Sequence, residues 1–95
     1  MTTDPFEDLR DELRRELPAR VAAASDAALA AASRGGDRDH AITLSHRLRG
    51  TAGTLGFQAV SDAAAELEEA LLAADETPGR AERIARAADA LRASA

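Results

Sequence analysis

His46 and Arg49 stand three residues apart in the stretch SHRLRGTAGTLGF, residues 45–57, with Gly50, Gly53 and Gly56 beside them. An imidazole titrates near neutrality, so much of it carries an unprotonated, nucleophilic ring nitrogen. On a helix, residues at i and i+3 share a face, so Arg49 brings a planar fork of donors next to that nitrogen. Such a fork suits phosphate, and the pair reads as a site that takes up an anionic group and neutralises it. Other chemistries fit less well. Ser45 and His46 are neighbours and point about 100° apart on a helix, which makes no nucleophile–base pair. His40 and His46 point about 240° apart, and no carboxylate–histidine set with metal-ligand spacing accompanies them.

The glycines sharpen this reading. Glycine in a helix interior costs about 1 kcal/mol relative to alanine, and this chain uses alanine almost everywhere else. With residues 37–57 on one helix, Leu44, Leu48, Ala52 and Leu55 form the expected core arc, with Ala41 and Thr51 at its edges. Ile42, His46, Arg49, Gly50 and Gly53 fall on the opposite, solvent-facing arc, joined by Phe57 if the helix reaches it. On that arc the glycines are expected to open a shallow strip to a partner, with Ile42 and Phe57 as apolar contacts at its ends. Arg34, Arg38 and Arg47 add positive charge to this part of an otherwise acidic chain, which suggests an anionic partner surface.

The elements that must hold the site read as helices throughout. TDPFEDLRDELRREL starts with Asp4 as a cap, Pro5 at the first helical position and Glu7 at capping-box spacing. Phe6, Leu9, Leu13 and Leu17 then form one stripe, and Pro18 is expected to end or kink the helix and start the next. That next helix buries Val21, Ala24, Ala28 and Leu29 and stops at Gly35 or Gly36 with a left-handed cap. Asp37 caps the helix bearing the histidine. A further helix carries Val60, Ala64, Leu67 and Leu71, and a last one, entered through Thr77 and Pro78, carries Ala81, Ile84, Ala88 and Leu91. No segment alternates with the period of a strand. The expected fold is all-α: an antiparallel four-helix bundle with an additional short N-terminal helix, formed by residues 1–95 as one domain.

Composition excludes several function classes. The 95 residues carry a formal net charge of -5, which argues against a general nucleic-acid binder. Tyrosine and tryptophan are absent, so base-stacking platforms are nearly excluded. Without cysteine there are no disulfides or thiolate metal sites. No apolar run approaches the roughly 18 residues of a membrane span, and the acidic N-terminus lacks the plan of a signal peptide. A cytoplasmic protein with no nucleic-acid or membrane partner is expected, monomeric rather than dimeric. The initiator Met1 favours a complete short protein.

HRLRGTAGTLGF, followed by VSDAAAELE, resembles the histidine-containing phosphotransfer (HPt) domain. That pattern is histidine, two residues, lysine or arginine, glycine, a small residue, then a hydrophobe and glycine. His46, Arg49, Gly50, Thr51, Ala52, Leu55 and Gly56 match it, with arginine where lysine is more usual. AGTLGF also resembles the phosphotransfer module of chemotaxis-type histidine kinases. The resemblance implies a phosphoryl carrier without kinase activity of its own. His46 would accept the group, through Nε2, from a phospho-aspartate of a response-regulator receiver domain and pass it to another receiver aspartate. Arg49 would balance the phosphate charge, Gly50 and Gly53 give clearance, Ile42 and Phe57 help dock the receiver, and Glu68 on the next helix orient the ring. The chain needs no cofactor by this reading, since Mg²⁺ belongs to the receiver; receivers and a hybrid histidine kinase are the implied partners.

Two other classes compete. One is a bundle that binds receivers without phosphotransfer, or is purely structural. The other is the dimerisation domain of a sensor kinase, which follows its histidine with an acidic residue and a later proline; HRLRGT has neither.

Overall fold

In a computed structural model of the chain, residues 4–34, 36–73 and 75–95 are described, apart from the side chains of Ser33 and Arg34. They form four helices: α1 (Glu7–Arg34), α2 (Arg38–Thr54), α3 (Gln58–Leu72) and α4 (Arg80–Ala93). Each packs on two neighbours, α1 and α3 both lying against α2 and α4, so the bundle closes in chain order. No strand occurs among the described residues.

The expected break at Pro18 does not occur. Pro18 lies inside the 28 residues of α1, so there is no separate short N-terminal helix. Proline removes one backbone N–H from the helical ladder, but Leu13, Leu17, Val21, Ala24 and Ala28 form one buried stripe that runs past it. Packing that stripe outweighs the local penalty, and Pro18 itself faces solvent. A second difference concerns the start of that helix. At 28 residues α1 is about 42 Å long, against about 22 Å for the 15 residues of α3. The stripe outruns its partners, and Phe6 and Leu9, expected in the core, are 48% and 49% exposed. Asp4 still organises the entry: its carboxylate accepts the Phe6 N–H at 2.9 Å and pairs with Arg10. The helix itself begins only at Glu7.

α2 begins as expected, with the Asp37 carboxylate accepting the His40 N–H at 3.0 Å. Its other end is set by Gly56, whose φ of 89° only glycine adopts without strain. The Gly56 N–H donates to the Gly53 carbonyl at 3.3 Å and the Phe57 N–H to the Ala52 carbonyl at 2.8 Å. This paired pattern is a Schellman stop, so α2 ends at Thr54, short of Phe57. The cap expected at the end of α1 differs: Gly36 is not left-handed, and Gly35 lies outside the described residues.

Alanines at near-zero exposure, among them Ala24, Ala28, Ala41, Ala52, Ala64, Ala70 and Ala88, let the helices approach closely around Leu48, Leu67, Leu71, Ile84 and Leu91. The C-terminal carbonyls of α3 are capped by two guanidiniums. Arg38 donates to Leu71 and Ala73 at 2.8 and 2.9 Å, and Arg80 donates to the same pair at 3.2 and 3.1 Å. Arg38 thereby leaves the cationic surface expected near the histidine and becomes a tie between α2 and α3. Among the described residues no helix is long and apolar enough to cross a membrane.

Candidate functional site

The core arc of α2 is Ala41, Ser45, Leu48 and Ala52, rotated from the expected one; Leu44 and Leu55 are only partly buried. Ser45 can lie inside because its hydroxyl donates to the Ala41 carbonyl at 2.9 Å, which satisfies it without a partner helix. The rotation turns one flank of α2 toward α3 and leaves His46, Arg49 and Gly50 exposed.

His46 projects from this flank with 71% of its side chain exposed, and its Nδ1 lies 2.8 Å from Glu68 Oε2 on α3. The other carboxylate oxygen of Glu68 accepts from Arg49 Nη1 at 3.0 Å. Glu68 is the buried member of the trio, its side chain 10% exposed against 51% for Arg49. A carboxylate only accepts, so Nδ1 carries the proton in this bond. When the ring is neutral, that tautomer leaves the Nε2 lone pair free on its outer side. The site thus presents an exposed nucleophilic nitrogen, a fixed proton on the opposite nitrogen, and a cation one turn away.

The glycines divide. At Gly50 an added methyl would meet nothing within 4 Å, so the backbone there is open. At Gly53 the same methyl would stand 3.0 Å from Ser61 Oγ of α3. Gly53 therefore faces the neighbouring helix, which corrects its place in the solvent strip. Ile42 and Phe57 are also not on a free arc: both are partly buried and packed against the core. Phe57 stands at the N-terminal boundary of α3 without a side-chain capping bond, and the Arg14 guanidinium lies 5.5 Å from its ring centre.

On the other side of α2 an open groove of about 650 Å³ runs between α1 and α2 with His46 and Arg47 on its rim. Phe6, Leu9 and Arg20 line it from α1 and its entry, and Gly50, Thr51, Thr54 and Leu55 from α2. The sequence reading missed this groove and the role of Ser61. The signal for the groove was present, in the length of the α1 stripe against the lengths of the other helices. Ser61 had none, because a serine on an alanine-rich helix looks like any surface serine. Among the described residues no group of three or more histidines and carboxylates is arranged to hold a metal ion.

A family model described as the Hpt domain matches residues 8–95. No curated protein and no solved structure matches the chain significantly.

Proposed function

The chain belongs to the Hpt domain family, whose members are phosphoryl carriers in phosphorelays, and from that membership we propose that His46 is the residue that carries the phosphoryl group. The donor is the aspartyl phosphate of a receiver domain. The Nε2 lone pair attacks phosphorus, the bond to the aspartate oxygen breaks, and the carboxylate leaves with its electron pair. The proton on Nδ1 stays in place, so the phosphorylated ring is cationic. Passing the group to a second receiver runs the same step backwards, with Nε2 as the leaving atom. Mg²⁺ belongs to the receiver's acidic pocket, and the chain supplies no kinase chemistry.

The observation that carries this reading is the Nδ1–Glu68 contact of 2.8 Å beneath a ring that is otherwise exposed. Attack by a neutral imidazole creates positive charge on the ring, and a mostly buried carboxylate at Nδ1 stabilises that charge as it develops. Arg49 is held by the same carboxylate and stands ready for the incoming phosphoryl oxygens. Gly50 leaves room for the receiver, whose apolar docking surface meets Phe6 and Leu9 in the adjacent groove and the half-exposed edges of Ile42 and Phe57. A cytoplasmic, monomeric carrier serving receivers and a hybrid kinase fits this chemistry.

The test is labelling. The wild-type protein, incubated with phosphorylated receivers of its own organism, gains acid-labile, base-stable phosphate. His46→Gln stays folded and gains none, and His40→Gln labels normally. Labelling of His46→Gln at the wild-type rate would remove His46 from the reaction. A wild-type protein that binds receivers but takes no label would make it a binding bundle.

A further inference from the structure

The contact between Gly53 and Ser61 lies away from the reacting nitrogen, yet its geometry is tied to it. α2 and α3 form an antiparallel hairpin around residues 55–57. Gly53 lies seven residues beyond His46 on α2, and Ser61 lies seven residues before Glu68 on α3. Seven residues are two turns, about 10.5 Å. The two pairs therefore face each other at equal distances along one interface, one near the turn and one at the site.

The approach of the helices at Gly53 leaves no room for a side chain there, and Ser61 is fixed in place by a hydrogen bond. Ser61 Oγ donates to the Arg49 carbonyl at 2.9 Å, so the hydroxyl is held rather than free to swing away. It takes the space above Gly53 that a side chain would fill. Arg49 is thus held by α3 at two points: Ser61 on its backbone and Glu68 on its guanidinium. Between Ser61 and Glu68, Ala64 is fully buried. A rigid interface of small residues transmits a displacement rather than absorbing it.

We propose that Gly53 and Ser61 are positioning residues, a spacer that sets the separation and register at which the Glu68 carboxylate meets Nδ1 of His46. Neither touches the phosphoryl group. They act through Glu68 by fixing which ring nitrogen keeps the proton. The consequence for transfer rests on His46 being the acceptor, whereas the tautomer is read directly from the ring.

Three variants of the full chain test this: Gly53→Ala, Ser61→Ala and the double variant. In the double variant the hydroxyl is gone, and the added Gly53 methyl meets only the Cβ of residue 61 at 3.7 Å, an ordinary contact. The readouts are the ¹⁵N shifts of the neutral His46 ring and labelling by phosphoramidate, whose P–N bond breaks with loss of ammonia as the Nε2–P bond forms. Gly53→Ala moves the ring from the Nδ1–H form toward the Nε2–H form and slows labelling by roughly tenfold, since a sub-ångström misplacement suffices for that. Ser61→Ala has the smaller effect on both. The double variant recovers the wild-type tautomer and most of the labelling, which a general loss of stability would not do. Wild-type shifts in Gly53→Ala would overturn the proposal, and so would a double variant that fails to recover. If Gly53→Ala does not fold, a folded double variant with the wild-type tautomer supports the spacer, and one with the altered tautomer refutes it. If wild type itself takes no phosphate, the acceptor reading fails while the ring shifts still decide the spacer.

Discussion

Gly50→Ala gives the sharpest separation of stability from use. Gly50 sits inside α2 at a helical, exposed position, and an added methyl meets nothing within 4 Å. No packing is lost and no clash is created, so the change reduces to helix propensity, a gain of about 0.8–1 kcal/mol. For a domain of this size that raises the melting temperature by roughly 4–8 °C. At Gly53 the same propensity gain is opposed by crowding of Ser61 Oγ at 3.0 Å. Losing the Ser61 bond to the Arg49 carbonyl costs about 1 kcal/mol, and overpacking adds about 1–3 kcal/mol. Gly53→Ala is therefore neutral to destabilising. Circular-dichroism melts and urea titrations of the two variants read the contrast. Gly50→Leu extends it: the bundle stays folded, but the side chain enters the groove next to His46 and weakens binding of a receiver that charges the wild type. A fall in melting temperature for Gly50→Ala would refute the packing argument. Unchanged receiver affinity for Gly50→Leu would refute the clearance argument.

Four further outcomes follow from the same geometry. Glu68→Gln keeps an acceptor near Nδ1 but loses charge assistance of about 1–1.5 kcal/mol, so phosphoramidate labelling slows by roughly tenfold; a wild-type rate would show that the carboxylate charge is idle. Arg49→Ala slows transfer or shortens the phosphohistidine lifetime while costing about 1 kcal/mol or less in stability, whereas Arg49→Lys keeps the charge and most of the rate; equal behaviour of the two would dismiss charge neutralisation. Pro18→Ala restores a helical N–H at an exposed position and stabilises the fold by about 2 kcal/mol after the loss of unfolded-chain restriction, which raises the urea midpoint; a lower midpoint would mean that α1 needs its proline. Arg38→Ala removes two charge-assisted bonds to the end of α3 while Arg80 stays on the same carbonyls, and costs about 1–2 kcal/mol; an unchanged midpoint would make that clamp redundant.

Much of this molecule is written in short range. The period of Val60, Ala64, Leu67 and Leu71, the Asp37 cap and the glycine at 56 each act within a few residues through helix geometry and hydrogen bonding. They specify helices and stops wherever the chain folds. The motif from His46 to Gly56 is equally local, and with it the family was readable before any coordinate.

What needed the tertiary structure is every feature decided by a neighbouring helix. Pro18 reads as a break until the stripe from Leu13 to Ala28 is seen buried on both sides of it. The leucines at 44 and 55 point to one core arc of α2, whereas the packed helix buries Ser45 instead, whose hydroxyl is satisfied by the Ala41 carbonyl. Gly53 and Gly50 are the same residue in the same helix, and only Ser61 across the interface makes one a packing contact and the other an opening. Glu68 was placed near the ring by family resemblance, but its hold on both His46 and Arg49 exists only at the α2–α3 separation the bundle adopts. Local sequence supplies the helix periods and the stop signals; which stop signal is overridden, and which face of a helix meets which atom, is a property of the packed pair.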